Sequence, residues 1–155
     1  AIDGMPIYAE CGGLMYLVEK ISDLEEKEFS MVGILPGEVK MGKKLRALGY
    51  CNIKLLQNTI LGKKGESLRG HIFHWSYLTL SRNKMTFAYE IEKSGQKFYD
   101  GLLKNNILAS YVHIHFGSKV SVAKNLIRSC IRSRNLSKVR REITLPISSS
   151  LEGED

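Results

Sequence analysis

The chain has 155 residues, 43% apolar and 25% charged, which suffices for one compact domain with its own core and excludes a polypeptide disordered throughout. Three cysteines at 11, 51 and 130, an odd number without recurring spacing, exclude a disulfide framework and a paired-cysteine zinc site and point to a reducing compartment. The net charge of +7 leaves an anionic partner open, but no apolar run approaches the ~18 residues of a membrane span and no leader is recognisable, so the expected location is cytoplasmic, without a membrane partner.

In chain order, MPIYAE reads as a short buried strand. Leu14, Met15, Leu17, Val18 and Ile21 then recur at the spacing of a helix stripe, giving the order strand, cysteine, helix. Five strand-like runs follow: SMVGILPGEVKM, LGYCNIKLL, HIFHWSYLTL, TFAYEIEK and NNILASYVHIHF, rich in Val, Ile, Tyr and Phe and separated by Gly, Asn, Ser and Lys. From Gly117 to Arg141 there are eight basic residues and no acidic one, with Val120, Ala123, Leu126, Ile127 and Cys130 on one helical face, which predicts a surface helix packed on the sheet. SSSLEGED then reads as a frayed tail.

The stretch YAECGGLMYL places Cys11 at the strand-to-helix junction, before Gly12 and Gly13. At such an elbow small neighbours let the chain turn, and the amide after the nucleophile is aimed at a developing oxyanion. The helix N-terminus is expected to favour thiolate over thiol. The four histidines lie in GHIFH and VHIHF. On strands, His113 and His115 share a face, whereas His71 and His74 point oppositely, so the four do not converge on one metal.

PIYAECGGLMYL, MVGILPG, LGY, LRGHIFHWS and ILASYVHIHFGS, in this order and spacing, resemble the glutamine amidotransferase domain of the cobyrinate a,c-diamide synthase family. The resemblance runs from about Pro6 to Ser118. It implies an α/β fold: an incomplete flavodoxin-like class I glutamine amidotransferase sheet, strand-rich and mixed, with flanking helices. It also implies that Cys11 is the nucleophile toward glutamine, that His113 is the general acid and base, and that Gly12 and Gly13 serve the oxyanion and glutamine. Glu10, His115, His71 and His74 are candidates for support, and no metal is expected. Many class I relatives carry an orienting Glu two residues after the histidine; here that position is His115, so orientation of the imidazole is expected from backbone or from His115. In the family's Gly-His-Glu-Phe-His stretch, Ile72 replaces the glutamate.

The family's complete enzyme also has an ATP-dependent synthetase domain, and GKKGES lacks the GxxxxGK[ST] pattern of a phosphate-binding loop. Residues 1–141 are therefore expected to form part of the amidotransferase domain from the nucleophile elbow onward, and 142–155 a tail, with the synthetase domain absent. No cofactor is expected in this chain, ATP and magnesium belonging to the full synthase. Glutamine is the expected partner, with cobyrinate reached through the synthetase domain, and a homodimer or a separate synthetase chain as a further association. Little glutaminase activity is expected from the chain alone. Hydrogenobyrinate or nickel-sirohydrochlorin a,c-diamide synthase is the nearest alternative. A histidine-based metal protein is another, and so is a nucleic-acid-binding module, although the basic segment carries no aromatic residue for stacking.

Overall fold

The apolar run before the cysteine forms β1 (Ile7–Glu10), and Gly12–Leu17 forms α1. The computed structural model describes residues 4–80 and 85–144, with side chains of the final helix described to Lys138. Helix α1 is shorter than its apolar stripe predicts: Val18 is already extended, and Ile21 belongs to β2 (Lys20–Ser22). The cause lies in the next segment. Amides of Val32, Leu35 and Gly33 donate to the carbonyls of Tyr16, Leu17 and Val18, using the acceptors that another helical turn would have needed. That is also why SMVGILPGEVKM is not one strand but β3 (Glu28–Ser30) and β4 (Glu38–Met41), with an irregular stretch folded over the end of α1 between them.

Seven strands form the main sheet in the order β1, β10 (Ile107–Ser110), β9 (Gln96–Lys104), β8 (Thr86–Lys93), β5 (Ala47–Leu55), β6 (Ser67–His74), β11 (Val112–Ile114). Within this sheet, among the described residues, only the β1–β10 pair is parallel. A second sheet runs β3, β2, β4, β7 (Ser76–Thr79). Alternation along β5 sends Cys51, Ile53 and Leu55 inward and Tyr50, Asn52 and Lys54 outward, the period of a half-buried strand. One apolar cluster joins β5, β6, β8, β10 and β11 to Leu14 and Leu17 of α1 and to Leu35 and Val39 near the second sheet.

Two predicted strands are each split between partners. HIFHWSYLTL breaks at Trp75, whose carbonyl takes the Gly42 amide, and β7 leaves for the second sheet. ILASYVHIHF breaks at Tyr111: β10 pairs with β9 through Ala109↔Leu102, whereas β11 pairs with β6 through His113↔His71. At this crossing the Asp100 carboxylate, 8% exposed, accepts the amides of Gly101, Tyr111 and Val112, so the break leaves none of the three unsatisfied. Gly101, at φ +77°, has the Tyr89 ring 2.7 Å from where a Cβ would stand. Strand β9 itself was not among the predicted runs. The sheet curls until its first and last strands meet, with Ile114 N donating to Glu10 Oε1 at 2.6 Å.

Helix α2 (Val120–Thr144) follows a short 3-10 turn at Phe116–Ser118. Its buried side carries Val122 and Ser133, with Leu126 packed against the core, while Val120 and Ile127 are exposed, so the predicted face is rotated. The tail expected over 142–155 lies outside the described residues except for the last turn of α2. No described helix is long and apolar enough to cross a membrane.

Candidate active site

Cys11 sits between β1 and α1 with φ +48° and ψ −105°, the left-handed side of backbone space that a residue with a Cβ adopts only when its surroundings impose it. Its own amide donates to Ser110 O at 2.7 Å, and its carbonyl accepts the Met15 amide that opens α1. The turn is thus fixed from both sides. Neither Gly12 nor Gly13 has a positive φ, so the cysteine carries the strain. Space explains one glycine: a Cβ on Gly13 would lie 3.2 Å from that of Ala9, while Gly12 faces open space.

The sulfur lies 3.6 Å from the Phe73 carbonyl. Burial raises the thiol pKa above its ordinary value; the Gly12 amide hydrogen-bonds the sulfur and lowers it, and the negative charges of Glu10 and Asp100 raise it further. The expected dipole-stabilised thiolate is therefore corrected. α1 spans only six residues, a small dipole, and desolvation outweighs the help of the Gly12 amide. A thiol held up in this way needs a neighbouring base to become a nucleophile.

His113 stands on β11 opposite His71 of β6. Its Nδ1 lies 3.3 Å from Glu10 Oε2, and Glu10 Oε1 also takes the Tyr8 hydroxyl and the Ile114 amide. Among the described residues no hydrogen bond joins Cys11 to His113; the two are linked through Glu10, the residue before the cysteine. His113 also lines a cleft of about 740 Å³ together with Tyr50, Arg69, His71 and His115, among others, which Cys11 does not line.

His71 and His115 line the same cleft as His113, while His74 does not, in line with the opposite parity of His71 and His74. His71 meets the Tyr50 ring edge-on at 5.2 Å. His74 donates from Nδ1 to Ser76 O at 2.9 Å and stacks on Tyr111 at 3.9 Å, and burial lowers its pKa. His115 is exposed, and its carbonyl accepts the Ser118 amide and hydroxyl; the bonds that orient His113 come from Glu10 instead. Ile72 is 2% exposed, so the family's glutamate at this position would be a carboxylate facing the core. The described residues include no cluster of three or more His, Cys, Asp or Glu able to hold a metal. The GKKGES turn does not fit a nucleotide phosphate either, because the Lys63 and Lys64 amides are already taken by Glu66 Oε1 and Asn58 Oδ1.

Sequence reading missed Asp100. Burial lifts its pKa from 3.8 to about 6 against the opposing pull of three backbone amides. The Asp-Gly pair that disguised β9 as a turn was its only local signal.

The fold is that of solved glutamine amidotransferase structures. A Thermoplasma acidophilum protein whose structure is described as that of a GMP synthase component superposes with TM-score 0.54 at 16% identity, covering 86% of this chain and 61% of that one. Another structure, described as a glutamine amidotransferase, gives 0.52 at 14% identity over 81% and 60%. The chain belongs to the CobB/CobQ-like glutamine amidotransferase domain family, whose model matches residues 1–121. A cobyrinate a,c-diamide synthase of Dehalococcoides mccartyi is 49% identical over 133 residues, 83% of this chain and 28% of that protein. Those of Leptospira interrogans and Archaeoglobus fulgidus are 43% and 40% identical, over 83% and 84% of this chain and 29% of theirs. The chain thus spans less than a third of the length of these relatives.

Proposed function

We propose that the chain is the glutamine-hydrolysing, ammonia-supplying part of a cobyrinate a,c-diamide synthase in cobalamin biosynthesis. The single observation that carries this reading is Cys11 held at φ +48° between strand and helix, the arrangement expected of an acyl-transfer nucleophile. The Cys11 thiol gives its proton to His113 and the sulfur attacks the carboxamide carbon of glutamine, with the Gly12 amide stabilising the developing oxyanion. His113 passes the proton to the leaving ammonia, giving a γ-glutamyl thioester. Water, deprotonated by His113, then adds to that thioester; glutamate leaves and the thiol is restored. The balance is glutamine plus water to glutamate plus ammonia. Activation of the cobyrinate carboxylates with ATP and magnesium belongs to the portion of the relatives' length that this chain does not span.

A chloroketone analogue of glutamine tests the reading. Mass spectrometry is expected to find one label, on Cys11, with Cys51 and Cys130 spared; equal labelling of the three would refute it.

A further inference from the structure

We infer that Glu10 is the positioning residue for His113, so that the acid orienting the histidine comes from the nucleophile's own strand and not from the position two residues after the histidine. The inference rests on the amidotransferase reading for its catalytic meaning, but its geometry stands independently.

Three donors converge on the Glu10 carboxylate: the Tyr8 hydroxyl and the Ile114 amide on Oε1, and His113 Nδ1 near Oε2. An ionised carboxylate only accepts, so the proton of a neutral His113 sits on Nδ1 and the lone pair on Nε2. That tautomer can take the thiol proton: the S–H bond of Cys11 breaks, an N–H bond forms on Nε2, and the resulting imidazolium faces an anion at Nδ1. The opposite tautomer would present an N–H where a base is needed.

The carboxylate is itself held in place. Tyr8 and Glu10, two apart on β1, share a face, and the Tyr8 ring packs on Phe116 at 5.6 Å. Burial is the largest of the effects that raise the Tyr8 phenol pKa, so the hydroxyl stays a donor. The Ile114 amide, on the residue directly after the histidine, donates to the same oxygen at 2.6 Å. Backbone and ring are thus registered against one carboxylate. His115, which occupies the place of the usual orienting acid, has no donor or acceptor role toward His113 among the described contacts.

Two readouts on the intact chain test this: the His113 tautomer from ring 15N shifts, and the rate of Cys11 labelling by the glutamine chloroketone. Wild type is expected in the Nδ1–H form. Glu10→Ala should give a mixture of tautomers and label about 10²-fold more slowly. Glu10→Gln has a single carbonyl oxygen, which the Tyr8 hydroxyl and the Ile114 amide take, so its NH2 faces Nδ1 and makes that nitrogen the acceptor. With the thermal midpoint measured alongside to set unfolding apart, it should move His113 toward the Nε2–H form and label at least about 10-fold more slowly. An Nε2–H form in wild type overturns the inference, as does a wild-type labelling rate in Glu10→Gln. If wild-type Cys11 is not preferentially labelled, the amidotransferase reading falls, while the tautomer still decides whether Glu10 orients His113.

Discussion

At the scale of the residue, a half-buried acid, Glu10, and a buried one, Asp100, divide the work around the elbow. Glu10 reaches the imidazole, while Asp100 holds the backbone that delivers it, through the amides of Tyr111 and Val112. Asp100 does this against desolvation, which lifts its pKa from 3.8 to about 6. A carboxyl whose folded pKa exceeds its unfolded one holds its proton more tightly when folded. Its contribution is therefore complete below about pH 4 and is lost as the pH rises through about 6. The cost of ionising it in the folded state is about 3 kcal/mol. Asp100→Asn is expected to gain up to about that amount relative to wild type between pH 4 and pH 7, whatever the offset from its changed hydrogen bonds. Urea unfolding of both proteins at the two pH values checks this, and a constant difference would contradict it.

At the scale of the element, the critical pair is β6 with β11, and Gly70 lets the two strands approach. A Cβ there would lie 2.6 Å from His113 O, 2.7 Å from Val112 Cγ1 and 2.8 Å from Ile53 Cδ1. Because the first of these atoms is backbone, β11 itself has to move. Gly70→Ala is expected to lose about 1–3 kcal/mol of stability and to slow Cys11 labelling further than Ala substitution at the exposed Gly12. A variant as stable and as reactive as wild type would show that β11 is not held against β6 in this way.

The same elements show what the sequence made legible. β5 and β8 were readable because their alternation is local, and the elbow was readable because strand, cysteine and glycines are contiguous. β9 was hidden by Asp100-Gly101, a turn dipeptide that here serves a strand crossing. The breaks at Trp75 and Tyr111 follow from partners far along the chain, the Gly42 amide and the Asp100 carboxylate, and no pattern within either run marks them. Glu10 could be nominated from its place beside Cys11. Its bond to His113, 103 residues away, exists only because the sheet curls.

At the scale of the whole molecule, that curl makes the site. Cys11 follows one edge strand of the seven-stranded sheet, and His113 lies on the other. Every intervening strand contributes to bringing them together, so the site should exist only in the cooperatively folded chain. Selective labelling of Cys11 over Cys51 and Cys130 is expected to vanish along the same urea transition that removes far-UV circular dichroism. Selectivity that persists past that transition would mean a locally formed elbow.

The most direct measurement of the account is the rate of Cys11 labelling by the glutamine chloroketone in wild type and in His113→Ala. A thiol with a raised pKa and a histidine base predicts a fall of about 10²-fold or more in the variant near neutral pH, recovering as alkali ionises the sulfur unaided. Equal rates with the same pH dependence in both proteins would show that the imidazole does not serve the sulfur, and the proposed mechanism would fail.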